Sequence, residues 1–266
     1  MRSSNYAEVN NTRLYYEEAG SGSPIVLVHG LGGDCRVWEG QVEVIARRYR
    51  VICYDIRGHG KSALPLNDPY SHADDLKALL DYLGVIRPAI VVGHSMGGGI
   101  AIDFALTYPD ALRALVLVAS TVAGYTWSSA WNEAWALVFG DPASNVMEHA
   151  LPMLLDHPMF ANTRQQPDVM ARLADILLGY SGWHIVNDDP LVELDPPAID
   201  RLGEIRAPTL VMLGAGDFPD LHNIAGILHK GIRGARLVEL PGVGHVPPME
   251  APEKFNQAVL EFLTGL

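Results

Sequence analysis

The chain has 266 residues, 48% hydrophobic and 19% charged, a composition that fits one large folded domain and excludes a disordered, fibrous or low-complexity protein. With 31 acidic against 19 basic residues the formal charge is -12, so a polyanionic partner such as nucleic acid is repelled on average. No apolar run approaches a membrane span, no apolar leader follows Arg2, and two cysteines, Cys35 and Cys53, make no disulfide framework; a soluble cytoplasmic protein with free thiols and no membrane partner is expected.

The first predicted element is a hairpin, in which residues 6–9 and 12–18 alternate around an Asn10-Asn11 turn. Four short runs rich in β-branched residues follow: Ile25-Val26-Leu27-Val28, Val51-Ile52-Cys53-Tyr54, Ala89-Ile90-Val91-Val92 and Leu115-Val116-Leu117-Val118. Continuous apolar runs, rather than alternating ones, mark strands buried on both faces. The pattern predicts an α/β fold: a mostly parallel central sheet with helices on both faces. Each run ends at a loop rich in Gly, Asp, Ser or His, and ligands of open parallel sheets gather at such carboxyl ends.

From about residue 121 to 205 the pattern changes to helix-like stretches, among them 127–139 and 169–178, with no convincing strand. This reads as an inserted helical cap, residues 121–205, dividing a core domain made of residues 1–120 and 206–266. Strands resume with Thr209-Leu210-Val211-Met212-Leu213 and residues 236–240, and an amphipathic helix over 252–263 closes the chain, with Pro252 suited to its first turn.

Gly93-His94-Ser95-Met96-Gly97 matches G-x-S-x-G, directly after a buried strand and directly before the helix-like residues 100–107. A serine on so sharp a strand-to-helix turn has an exposed hydroxyl but a strained backbone, and Gly93, Gly97, Gly98 and Gly99 leave room where strand and helix nearly touch. Helix amides aimed at that point favour any negative charge that develops there.

The chain resembles the cap-bearing serine hydrolases of the α/β-hydrolase fold superfamily, which include carboxylesterases and enol-lactonases. The likeness spans nearly the whole sequence and is carried by His29-Gly30-Leu31-Gly32-Gly33, Asp55-Ile56-Arg57-Gly58-His59-Gly60-Lys61-Ser62, the Ser95 motif, Gly214-Ala215-Gly216-Asp217 and Gly244-His245. It implies Ser95 as nucleophile, with an acid and then a histidine later in the chain. A serine hydroxyl needs a base to take its proton, and a carboxylate to hold that base. Of ten histidines, His245 alone follows a predicted late strand and a glycine-rich loop, and by motif position it is the base. Asp217 stands where the resembling family carries its acid; Asp220 is the near competitor, read as a solvated loop residue. His94 packs or bonds locally, His29 shapes its loop, and the 55–62 segment reads as a brace without chemistry.

The amide of Met96 and, by resemblance, that of Leu31 are expected to form an oxyanion hole. Trp127, Trp131 and Trp135 fall four apart and form one stripe on a helix, explained first by packing within the cap and second as the wall of an apolar pocket. With His29 and Trp183, Trp127 and Trp131 are the pocket candidates.

These readings converge on hydrolysis of a small carboxylic ester or lactone through an acyl-enzyme, with no cofactor and no metal. Carbon–carbon bond hydrolysis or cofactor-free perhydrolysis on the same triad is the alternative; Val246 after His245 departs from the tryptophan often found there in carbon–carbon hydrolases. A hydrolase-like receptor for a small ligand is a third. Ser95 excludes the aspartate-nucleophile dehalogenases and epoxide hydrolases.

Overall fold

The computed structural model describes residues 2–139 and 147–266. The hairpin strands β1 (Arg2–Val9) and β2 (Thr12–Gly20) turn on Asn10 and Asn11, both at positive φ, a conformation that asparagine tolerates and a two-residue hairpin requires. The central strands are β3 (Ser23–Val28), β4 (Tyr49–Tyr54), β5 (Ala89–His94), β6 (Leu112–Val118), β7 (Thr209–Gly214) and β8 (Arg236–Leu240). All eight join one sheet in the order β1-β2-β4-β3-β5-β6-β7-β8, antiparallel at β1–β2 and β2–β4 and parallel elsewhere. The runs Ile25–Val28 and Ala114–Val118 are wholly buried, which explains why they show no alternation.

The helices are α1 (Glu39–Ile45), α2 (His72–Tyr82), α3 (Met96–Thr107), α4 (Ser129–Phe139), α5 (Met147–Asp156), α6 (Pro167–Leu178), α7 (Trp183–Val186), α8 (Pro219–Gly231), α9 (Pro247–Glu250) and α10 (Pro252–Thr264). Helix α1 packs on α10, with Trp38 against Phe255, while α2 packs on α3. Sequence reading named neither α2 nor α8. Ser71 caps α2 by accepting from the Asp74 amide, and α8 buries Leu221, Ile224, Ala225 and Leu228 at helical spacing.

The chain leaves the sheet after β6 and returns at β7. Between them lie α4 to α7 and the 3-10 turns Pro158–Phe160, Thr163–Gln165 and Ala198–Glu204, while Leu191 makes only an isolated bridge to Tyr70. The proposed cap, residues 121–205, falls within this excursion, and its residues 140–146 lie outside the described residues. Cys35 and Cys53 are buried and unpaired. Among the described residues no helix is long and apolar enough to cross a membrane.

Candidate active site

Ser95 is the single residue between β5 and α3, at φ 55° and ψ −120°. Such a backbone costs on the order of 1–3 kcal/mol and persists only where its surroundings enforce it. Here the Ser95 amide donates to Val118 O at 2.9 Å, and its carbonyl accepts from Gly98 at 2.9 Å and Thr121 at 3.1 Å. The crossing is too tight for side chains: a Cβ on Gly93 would stand 2.2 Å from Gly97 O, and one on Gly97 2.3 Å from His29 O. The Oγ is thereby presented at the carboxyl edge of the sheet.

The loop after β8 brings His245 to it. Its Nε2 lies 3.2 Å from Ser95 Oγ, and its Nδ1 lies 3.1 and 3.0 Å from the two carboxylate oxygens of Asp217, in the loop after β7. A carboxylate only accepts, so Nδ1 carries the proton and the Nε2 lone pair faces the hydroxyl. Phe218 N also donates to Asp217 Oδ1 at 2.7 Å, fixing the carboxylate. Burial would push the imidazolium of His245 down, but the charge and hydrogen bond of Asp217, with the charge of Glu250, outweigh it and the pKa is raised. His94 donates from Nε2 to His245 O at 2.8 Å; it braces the backbone of that loop rather than a neighbour in its own.

Against Ser95 lies the loop after β3, so close that a Cβ on Gly30 would stand 3.0 Å from the Ser95 Cβ. Among the described residues the amides of Leu31 and Met96 have no protein acceptor. Both residues line the cavity beside Ser95. His29, however, is fully buried behind the loop and does not line it: Nδ1 donates to Gly30 O at 2.8 Å and Nε2 accepts from Ile56 N at 2.9 Å. Its ring is spent on shaping two loops and has no face left for a ligand. The 55–62 segment is a brace in the same sense. Asp55 accepts from Cys35 N and Lys61 N, and Arg57 pairs with buried Asp75.

A cavity of about 770 Å³ opens over Ser95, walled by the insertion. Trp127, Trp131 and Trp135 all face it, with Phe139, Met159 and Phe160. Packing and pocket wall are here the same surface, since Trp127 stacks on Trp131 at 4.2 Å and Trp131 meets Phe218 at 5.3 Å. Trp127 precedes α4 and reaches the stripe from an irregular segment rather than from the helix. Trp183 does not line the cavity: after Gly182, at φ 72°, it is its neighbour His184 that turns inward, and Trp183 stands edge-on to that ring.

Asp220 is not a solvated loop residue either. It lies buried in the first turn of α8 and accepts from Ser128 N at 2.9 Å, Ser128 Oγ at 2.7 Å and Tyr125 Oη at 3.2 Å, tying the insertion to the core.

Helix α3 presents Met96, Gly99, Ile100 and Asp103 to the cavity, one helical face. Asp103 therefore sits about 12 Å along the axis from Ser95. Asp189 and Glu193 line the cavity too, with no Lys or Arg among the described lining residues. Burial, reinforced by Glu193 and opposed by Arg201, pushes the Asp103 carboxyl up to about 6. Burial likewise holds His72 down at about 3 and lowers His184, so neither supplies a positive charge near neutral pH. Sequence reading missed Asp103, which only the spacing of eight residues from Ser95 could have indicated. It also missed Glu250, an acid between Pro248 and Pro252 in an otherwise apolar stretch. Among the described residues no group of three or more His, Cys, Asp or Glu is placed to hold a metal ion.

The sequence model of the family described as alpha/beta hydrolase fold matches residues 23–252. A protein of Caulobacter sp. (strain K31), provisionally named a carbamate hydrolase, is 31% identical over 95% of this chain and 96% of its own length. Among solved structures, Est816, titled an N-acyl homoserine lactone degrading enzyme, superimposes with a TM-score of 0.79 at 28% identity, covering 97% of this chain and 100% of that one. The enol-lactonase of Burkholderia xenovorans LB400 does so with 0.77 at 28% identity, over 98% and 100%.

Proposed function

The chain belongs to the alpha/beta hydrolase fold family, and from that membership we propose that it is a serine hydrolase cleaving a small carboxylic ester or lactone through an acyl-enzyme. The observation that carries this reading is the unbroken line from Ser95 Oγ through His245 to Asp217, at the floor of the cavity. His245 Nε2 takes the Ser95 proton as Oγ attacks the acyl carbon, and Asp217 stabilises the imidazolium that forms. The amides of Leu31 and Met96 receive the oxyanion, each worth on the order of 3 kcal/mol. His245 then protonates the leaving oxygen, and water, deprotonated by the same nitrogen, releases the acid. The names of the similar proteins, carbamate hydrolase, lactone-degrading enzyme and enol-lactonase, all describe cleavage at an acyl carbon, which supports the reaction class. The aromatic wall suits an apolar substituent, and a lining that among the described residues has three carboxyl groups and no Lys or Arg disfavours a carboxylate on the substrate.

A fluorophosphonate probe and a set of nitrophenyl esters test the proposal. The native protein is expected to be labelled at Ser95 and to prefer neutral esters over hemisuccinates of equal size, while Ser95→Ala loses roughly 10⁵-fold or more in kcat. Absence of both labelling and turnover overturns the hydrolase reading and leaves the chain as a small-ligand receptor.

A further inference from the structure

Glu250 closes α9 and is 8% exposed, yet it touches none of the groups assigned to the reaction. Its carboxylate has four lone-pair positions, and each one is filled by a donor. Oε1 accepts from Val246 N at 2.9 Å and Thr163 Oγ1 at 2.8 Å. Oε2 accepts from Gly244 N at 2.6 Å and Asn162 Nδ2 at 3.0 Å. Three of the four partners, the two backbone amides and the Asn162 NH2, can only donate, and the Thr163 hydroxyl completes the shell.

The identity of the donors matters more than their number. Gly244 and Val246 are the residues on either side of His245, and their amides have neither a strand nor a long helix to satisfy them. Asn162 and Thr163 belong to the insertion, where they adjoin the 3-10 turns Pro158–Phe160 and Thr163–Gln165. Asn162 also donates to Gly242 O at 3.1 Å. It is wedged between two loops: a Cβ on Gly244 would stand 2.8 Å from Asn162 Cβ, and one on Gly216, the residue before Asp217, 3.0 Å from Asn162 Oδ1. The preceding turn, Pro158–Phe160, sets the Phe160 ring against that of His245, centroids 6.1 Å apart. One carboxylate thus joins the loop of the base to the part of the insertion that rests on it.

We propose that Glu250 is a positioning residue, which aims His245 at Ser95 through the amides on either side of it and makes that aim depend on the docking of the Asn162–Thr163 turn. The proposal rests on the reading of Ser95, His245 and Asp217 as the reacting groups. Among the described residues, the titratable groups that contact His245 or act on its charge come from four elements: Asp217 after β7, His94 at the end of β5, His157 from the insertion and Glu250 from α9. Burial and the neighbouring His245 hold His94 at about 3 and, with Arg164, His157 at about 4. Among these groups it is Asp217 and Glu250 that place charge beside the base near neutral pH, so removing the charge of Glu250 has a direction that can be read.

The variant Glu250→Gln keeps the shape but sets an NH2 against at least one backbone N–H, since the Thr163 hydroxyl can turn to accept while the amides of Gly244 and Val246 cannot. Two measurements follow: kcat/KM for a nitrophenyl ester between pH 5 and 9, and the His245 titration by NMR. Expected are a fall in kcat of about 10-fold with KM changed less than about twofold, and a shift of the acid limb and of the His245 titration to lower pH by several tenths of a unit. A purely structural brace would lower the melting temperature and move neither titration nor kcat at temperatures where the variant is folded; that outcome overturns the proposal. The double variant Asn162→Ala with Thr163→Val keeps the charge and the two loop amides. It is expected to lose kcat about threefold with the titration of His245 within about 0.2 units of native, and unchanged kcat overturns the link to the insertion. Should Glu250→Gln not fold, the double variant decides by the same criterion. If the native protein is neither labelled by a fluorophosphonate nor active, the hydrolase reading fails, while the NMR shift, which needs no turnover, still decides whether Glu250 tunes His245.

Discussion

The edge of the sheet and the helices over it are held in place by different means. Ser95 is fixed through its own backbone by Val118, Gly98 and Thr121, and Asp217 through Phe218, all by hydrogen bonds at the ends of buried strands. The insertion is fastened mainly by apolar packing and by side chains at a few points: Asp220 on Ser128 and Tyr125, Glu250 on Asn162 and Thr163, Tyr70 on Asp189, Arg36 on Asp175 and Arg172 on Glu39. Backbone-fixed groups change little when a side chain is replaced nearby, whereas a surface held by side chains can be remodelled residue by residue. Ser95 and Asp217 belong to the first kind of structure; the shape of the cavity, and the aim of His245 through the Glu250 side chain, belong to the second.

The largest effect should come from the platform alone. Asp217→Asn leaves the cavity walls untouched but can no longer stabilise the imidazolium or hold the proton on Nδ1, so kcat is expected to fall by roughly 10⁴-fold with the melting temperature near native. The pH dependence follows the same residue. As the proposed base His245 must be neutral to act, and because its pKa is raised, native activity is expected to fall with decreasing pH through a point above the ordinary value of roughly 6.5. In Asp217→Asn the residual acid limb should lie lower, as the charge that raised it is gone. Retention of a tenth of native kcat would erase the contrast between the two regions.

A change in the wall should act on one substrate and spare another. Trp127 is half-buried, stacks on Trp131 and lines the cavity. Trp127→Ala is expected to lower kcat/KM for octanoate or benzoate esters by about 10-fold, from lost apolar contact, and to change acetate ester turnover by less than about threefold. Equal losses on both would assign Trp127 to the platform instead.

This division also governs what could be read in the sequence. Strand runs and the Ser95 turn were legible because each is specified locally: β-branched residues ending at a glycine-rich loop state both the strand and its carboxyl end, whereas Asp217 was placed by the family resemblance and His245 by its motif position. The roles of Asp220, Glu250, His29 and Trp183 depend on partners far along the chain. Ser128 is 92 residues from Asp220, and Thr163 is 87 from Glu250. His29 looked like a pocket residue because it opens a glycine loop, but its ring is committed to Ile56, 27 residues on. Trp183 was a pocket candidate from its place after the stretch 179–182, yet past Gly182, at positive φ, it is His184 that lines the cavity.

The smallest expected effects separate the fastenings of the insertion from one another. Asp220 is 1% exposed, and through Ser128, whose hydroxyl accepts from Trp131 N at 3.2 Å, it fixes the start of α4 and so the Trp wall. Asp220→Ala should cost about 1–2 kcal/mol, a fall in melting temperature of several degrees, and should weaken long-chain ester turnover more than acetate turnover. Arg172 and Glu39 pair at 2.7 Å with side chains 53% and 62% exposed. Water competes for both charges, so Arg172→Ala should stay within about 0.5 kcal/mol of native stability and leave both substrates unaffected. Thermal melts of the two variants beside the native protein, with both esters assayed, make the comparison. Equal destabilisation by the two would mean that the insertion is held by its surface charges, and the buried carboxylates would lose their place as its anchors.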